Sequence, residues 1–318
     1  MASAYVTTAD PAPGRFAATP TPDADHRVRV DADFSTGRLG RLRHDYHHHP
    51  LMQIERLEQL AHSLMSTRQC RFIVPGSTDA SVFDHKSQPA DGRSLAEVFR
   101  RIHEPGSWVA LYNVQTDPEY ARFVRQVVRS VGPDLPEDDP VLDVRGFVFI
   151  SAPPSATPFH IDREQNLWLQ IRGRKTLSVW DHRDRATVAA ADVEDFIIDG
   201  TLRNVRLTDA ARARAHHFDC GPGEGVYFPS TSPHLTNTNT SWVTPDDAVV
   251  ISIGVVFYTR STRRTAYAHA FNHVLRRFGL HPRLAGDHDW IDRLKYPLGR
   301  IVVALRRRLR GYLPPVGF

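Results

Sequence analysis

The chain has 318 residues, 41% of them hydrophobic and 24% charged, with a formal net charge of +4. That is the make-up of a soluble globular protein, long enough for a sizeable core in one large domain or two small ones. Two cysteines, Cys70 and Cys220, exclude a disulfide framework, no run reaches the roughly 18 apolar residues of a membrane span, and so mild a charge excludes a protein built to coat nucleic acid.

Residues 1–40, rich in Ala, Thr, Pro and Asp, read as an extended or disordered arm. The arm lacks the apolar run of a secretory signal, and with the cysteine usage this leads us to expect a cytoplasmic protein. "PLMQIERLEQLAHSLM" has helical spacing behind a proline, and "CRFIVPG" reads as a short strand stopped by Pro-Gly. "SLAEVFRRI" is a helix with Ser94 as cap and Glu97 three residues on, "SWVALYNV" a strand, and "DPEYARFVRQVVRSVG" a helix between Asp-Pro and Gly. These make a helical and strand region over 41–139. From there the character changes. "LDVRGFVFISAPP", "TPFHID", "NLWLQIRG", "KTLSVWD", "GEGVYFP", "SPHLTNT" and "AVVISIGVVFYT" are short β-rich runs parted by turns. Strands without long helices between them predict an antiparallel sandwich or barrel over 140–260, with a helical or irregular insertion near 183–216. Residues 261–318 return to helical spacing, giving a mainly β protein with helical flanks.

The stretch "TPFHIDREQNLWLQIRGRKTL" carries the chemistry. In a strand, residues i and i+2 share a face, so His160 and Asp162 project together as imidazole and carboxylate. With one more histidine they make a facial triad that leaves coordination positions open on Fe(II). His234, after "GVYFPSTSP", stands in a context that suits the third ligand. A His-x-Asp pair alone is a weak signal among 17 histidines. Lys175 strengthens it, because a lysine inside a barrel is costly unless an anion meets it.

At fixed spacing and without a gap the chain reads Thr157, Pro158, His160, Asp162, Gln165, Asn166, Trp168, Gln170, Ile171, Gly173, Lys175. This resembles the JmjC/cupin-like Fe(II)- and 2-oxoglutarate-dependent oxygenases, and within them the pattern of the hypoxia-inducible factor asparaginyl hydroxylase. The resemblance covers about 142–260 firmly and 50–130 loosely. It implies a double-stranded β-helix (cupin or jelly-roll) core. It implies His160, Asp162 and His234 as iron ligands, Lys175 and Thr157 on the distal carboxylate of 2-oxoglutarate with Tyr112 in the same role, Asn166 near its keto acid end, and Trp168 as a wall. The family member compared has an Asn on the last core strand, where this chain has Gly254 with Ser252 nearby. The activity implied is hydroxylation of a protein, peptide or small-molecule side chain by O2, coupled to decarboxylation of 2-oxoglutarate to succinate. Iron halogenases of this type leave the Asp162 position empty, and the carboxylate argues for hydroxylation or demethylation.

Two other readings stay open: a non-catalytic cupin-like module that binds a metal or small acid, and a zinc or manganese cupin isomerase. The cluster His44, His47, His48 and His49 is either a metal site or a turn before the first helix. His216 and His217 read as loop residues. The basic tail "RIVVALRRRLRGYL" offers packing on the core, a homodimer contact, or contact with an anionic membrane surface; no specific nucleic acid partner is expected.

Overall fold

The computed structural model describes residues 26–73, 92–242 and 248–310. Most of the expected arm, the Pro-Gly stop after Ile73 and the end of the basic tail lie outside the described residues. The amino-terminal part runs β1 (Val28–Val30), β2 (Gly40–His44), α1 (Ile54–Met65), β3 (Cys70–Ile73), α2 (Leu95–Arg100), β4 (Trp108–Leu111) and α3 (Pro118–Ser130). The core follows as β5 (Val141–Ser151), β6 (Ser155–His160), β7 (Gln165–Arg172), β8 (Lys175–Val179), α4 (Ala190–Asp199), α5 (Asp209–Arg212), β9 (His216–Cys220), β10 (Glu224–Phe228), β11 (His234–Thr238) and β12 (Val250–Thr259). Helices α6 (Arg260–Arg277) and α7 (Asp289–Arg310) close the described chain.

Two antiparallel sheets face each other. The large one has the order β1-β2-β10-β7-β12-β5-β4-β3, the small one β6-β11-β8-β9. From β5 to β12 the chain passes back and forth between them, which is the winding of a double-stranded β-helix. Period two explains why β7 and β12 are buried on both faces. Leu167, Leu169, Ile171, Ile253, Val255 and Phe257 pack outward beneath α1 and α3, with Leu57, Leu60, Phe123 and Val127. Trp168 turns inward to Leu177, Val179, Val226 and Phe228 between the sheets.

The helices start where local chemistry dictates. Ser94 and Glu97 close a capping box on α2, and Asp117 accepts from the N–H groups of Glu119 and Tyr120 at the start of α3. Two expectations change. The span 1–40 is not wholly an arm, because β1 and β2 extend the large sheet, β2 pairing with β10. His216 and His217 are strand residues of β9, paired with Val179 and Ser178, because the alternation of β8 carries across. The His44 to His49 stretch turns through a 3-10 segment at Tyr46–His48, with the rings of His47 and His48 3.8 Å apart and His49 accepting from the Leu51 N–H. It is a turn before the first helix, and its rings form no ligand cluster among the described residues.

Among the described residues no helix is long and apolar enough to cross a membrane. Helix α7 packs one face on α6 and leaves Trp290, Leu294, Leu298, Ile301, Leu305 and Leu309 exposed on the other. The contact is close at Gly299, where a Cβ would stand 1.9 Å from the Tyr267 carbonyl oxygen. Gly299→Ala therefore pushes the two helices apart. We expect a loss of about 1–3 kcal/mol, read as a lower urea midpoint with the slope unchanged; an unchanged midpoint would remove the contact.

Candidate metal centre and barrel interior

His160 ends β6 and His234 begins β11, and the two pair directly across the small sheet. Asp162 lies beyond the end of β6, so the pair does not share a strand face as expected. Instead the backbone turns, and the Asp162 carbonyl is held by the Thr231 N–H at 2.8 Å. The carboxylate still meets both rings: Oδ1 stands 3.8 Å from His160 Nε2, and Oδ2 3.5 Å from His234 Nε2. The ligand atoms of the three residues all lie within 4.8 Å of one another.

The rings are pre-set for a metal. His160 Nδ1 is 2.7 Å from the Pro158 carbonyl oxygen, and His234 Nδ1 is 3.0 Å from that of Ser232. A carbonyl only accepts, so each Nδ1 carries a hydrogen and each Nε2 is left facing Asp162. Burial, with the neighbouring His160 ring, pushes the His234 pKa down to about 4, so that ring is neutral at ordinary pH. The set of two imidazoles and one carboxylate fits ferrous iron with positions left open. Asn166 supports it from β7, its Nδ2 donating to Asp162 Oδ2 at 3.4 Å.

Lys175 opens β8 and is 2% exposed. It stands four residues from Val179, the partner of His234, about 13 Å along the strand. Its Nζ crosses between the sheets and donates to Ser252 Oγ at 3.3 Å. Among the described residues no carboxylate pairs with it, and burial alone pulls its pKa down to about 8. The turn that admits it depends on Gly173, at φ +65°, where a Cβ would press within 2.9 Å of Val250.

The other expected residues take separate places. Thr157 accepts from the Thr236 hydroxyl at 3.0 Å across β6 and β11. Trp168 is an apolar inner wall. Gly254 lies under the Asn166 amide, 3.6 Å from its Oδ1 to where a Cβ would sit, so the amide covers the ground a larger residue would take. Tyr112 follows β4 on the large sheet, its ring against Phe147 and Phe149 and beneath the Arg71 guanidinium at 4.6 Å. Burial raises its phenol pKa, and the Asp162 carboxylate adds to the effect. No hydrogen bond joins Tyr112 to Lys175 or Thr157.

Sequence reading missed Thr236, Glu164 and Tyr258. Thr236 is two residues from His234 on the same strand, and that spacing was signal enough. Glu164 continues the alternation of Asp162 and Asn166; its carboxyl accepts from the Tyr258 hydroxyl at 2.7 Å and is pushed up by burial and then by Asp162. Its partner comes from the far end of β12, which no local pattern announces. Cys70 and Cys220 are free and buried, their thiols pushed up to about 12.

No protein-family model matches the chain, and no curated protein does. Among solved structures it is similar to YcfD of Escherichia coli, at 14% identity over 86% of this chain and 66% of that one, with a TM-score of 0.45. The same protein, described as a ribosomal oxygenase, in complex with cobalt and 2-oxoglutarate gives 14% identity over 86% and 64%, with a TM-score of 0.43. The DMSP lyase DddQ from Ruegeria pomeroyi gives 15% over 36% and 38%, with a TM-score of 0.21. The chain thus spans less than two thirds of the length of the YcfD chains. Likenesses of that size leave the chemistry to the side chains themselves.

Lys175→Met tests the buried ammonium. The lysine holds a proton in the unfolded chain up to about pH 10.5 but releases it near 8 when folded. Folded stability therefore rises with pH between those values, and below 8 the full cost is present, on the order of 3 kcal/mol. We expect Lys175→Met to raise the stability by about 1–3 kcal/mol at pH 7, with the gain shrinking above pH 8. A loss of stability at pH 7 would show that the ammonium is already paired.

Proposed function

We propose that this chain is an Fe(II)- and 2-oxoglutarate-dependent oxygenase that hydroxylates a side chain of a protein, peptide or small molecule. One observation carries the reading: a lysine buried with no counter-ion among the described residues lies in the same barrel as a His-Asp-His cluster, one strand away and deeper. A metal alone explains the cluster but not the ammonium. A dicarboxylate with a chelating keto acid at one end accounts for both.

Iron(II) held by His160, Asp162 and His234 would supply the activation of O2 and of the keto acid. The chain's own part is positioning and the exclusion of water. Lys175 neutralises the distal carboxylate, and Ser252 fixes the direction of its ammonium. The Thr157 hydroxyl, which accepts from Thr236, keeps its own hydrogen to donate along the same path. Asn166 keeps the Asp162 carboxylate turned to the cluster. Trp168, Leu177, Val179 and Phe228 make the inner walls apolar, which removes competing water and strengthens each polar contact. The cytoplasmic placement expected from the sequence remains part of this reading.

The exposed stripe of α7 supports a homodimer formed by two copies of this helix. Set antiparallel about a two-fold axis, the acidic start of one helix at Asp289 lies beside Arg307 and Arg308 of the other, while the apolar residues cover each other. Ile301→Glu should turn a dimer into a monomer in light scattering, without loss of fold by circular dichroism. A wild-type monomer at micromolar concentration contradicts the contact, and pelleting with anionic vesicles would reassign the stripe to a membrane surface.

The oxygenase reading predicts that purified protein with Fe(II) and O2 converts 2-oxoglutarate to succinate, slowly even without a prime substrate. His160→Ala or Asp162→Ala should lower this by at least about 100-fold. Undiminished succinate formation in either variant would remove the proposed ligands.

A further inference from the structure

Outside the barrel, a polar cavity of about 230 Å³ lies between the 182–185 loop, the start of α6 and the 285–292 segment. It is smaller than the roughly 300–1,000 Å³ of sites for drug-sized ligands. Buried polar atoms without partners converge on it: His269 Nδ1, Asp292 Oδ1 and Arg185 Nε. His269 is 4% and Asp292 2% exposed, so water does not satisfy them from outside. A native fold leaves few such groups, and several in one cavity point to something that fills it.

The charges say what kind of group. Arg264 is paired with Asp289, and Arg163 donates to the carbonyls of Phe196 and Ile197. Asp292 accepts from the Gly286 N–H at 2.7 Å through its other oxygen. Arg185 makes no hydrogen bond or ion pair among the described residues. Burial pulls its pKa down, and the carboxylates of Asp287, Asp181, Glu194 and Asp184 oppose this from beyond contact distance. His182 and His269 are held neutral by burial, at about 4 and about 3. Ser261 and Thr262, in the first turn of α6, line the same space, with the Asp139 carboxylate already capping the Ser261 N–H. The cavity thus offers a guanidinium without a contact of its own, with the carboxylates of Asp287 and Asp292 on its walls.

We infer that this cavity binds a small tetrahedral oxyanion, a phosphate or phosphate monoester, on the Arg185 guanidinium, with His269 and Asp292 completing its hydrogen bonds. A planar guanidinium pairs with two phosphate oxygens at once. A protonated phosphate oxygen is a donor for Asp292 Oδ1, and the His269 ring nitrogen serves an oxygen in either tautomer. The cavity's lining includes neither the metal cluster residues nor Lys175, so it is tested independently of the oxygenase reading.

Isothermal titration of the full chain at constant ionic strength tests it, with inorganic phosphate in one arm and glycerol 3-phosphate in the other. We expect saturable binding at one site, weakened at least tenfold in Arg185→Gln, less in Arg185→Lys, and unchanged in Lys175→Met. The tighter arm tells the free ion from the monoester. Absence of saturable binding in both arms overturns the inference. So does binding that survives Arg185→Gln but is lost in Lys175→Met, because the anion would then sit in the barrel.

Discussion

A positive charge buried between two sheets, with no negative charge to meet it among the described residues, is the constraint on which the functional reading rests. Lys175 cannot be explained as packing. An apolar residue of similar volume would fill the space without the desolvation cost. Its direction is set by Ser252, on the opposite sheet, so the ammonium is held and not merely tolerated. The fold supplies the means. Gly173 lets β7 turn into β8 tightly enough that the first residue of β8 points inward, and the ten buried residues of β12 bring Ser252 across from it.

The metal cluster depends on the same architecture in another way. No two of its members lie within one regular strand. His160 and His234 meet because β6 and β11 are neighbours in the small sheet, and Asp162 reaches them because the chain has already left β6. The carbonyls of Pro158 and Ser232 each sit two residues before the histidine they orient. Each histidine thus carries its own orienting group two residues earlier in the chain. Asn166 adds a contact from the large sheet, so the cluster is held from both sides.

The β core was legible because its strands obey period two and are parted by turn residues. The barrel lysine and the histidines were legible because polar residues at those positions break an otherwise apolar alternation. What could not be read were the meetings between distant segments. Tyr258 on Glu164, Arg71 over Tyr112, and the cavity joining 182–185 to 285–292 depend on where strand ends and loops come to rest. The alternation also misled at one point: it placed Asp162 on the strand with His160, whereas the strand stops first. At β1 and β2 a composition rich in turn formers concealed the edge strand β1 and its neighbour β2, because strands at the rim of a sheet need little apolar sequence.

The inner walls and the outer helices divide the work. Leucines, valines and Phe257 on the outer face fix the large sheet beneath α1 and α3, leaving the inner face free to carry Asn166, Ser252 and Glu164. The central claim is that the ammonium of Lys175 is the counter-charge of a dicarboxylate whose other end lies on the metal. It is tested most directly by anaerobic titration of the manganese-loaded protein with 2-oxoglutarate and with 2-oxobutyrate, which lacks the distal carboxylate. The account predicts that 2-oxoglutarate binds at least tenfold tighter in the native chain and that the two bind alike in Lys175→Met. Equal binding by the native chain, or a preference that survives the substitution, would contradict it.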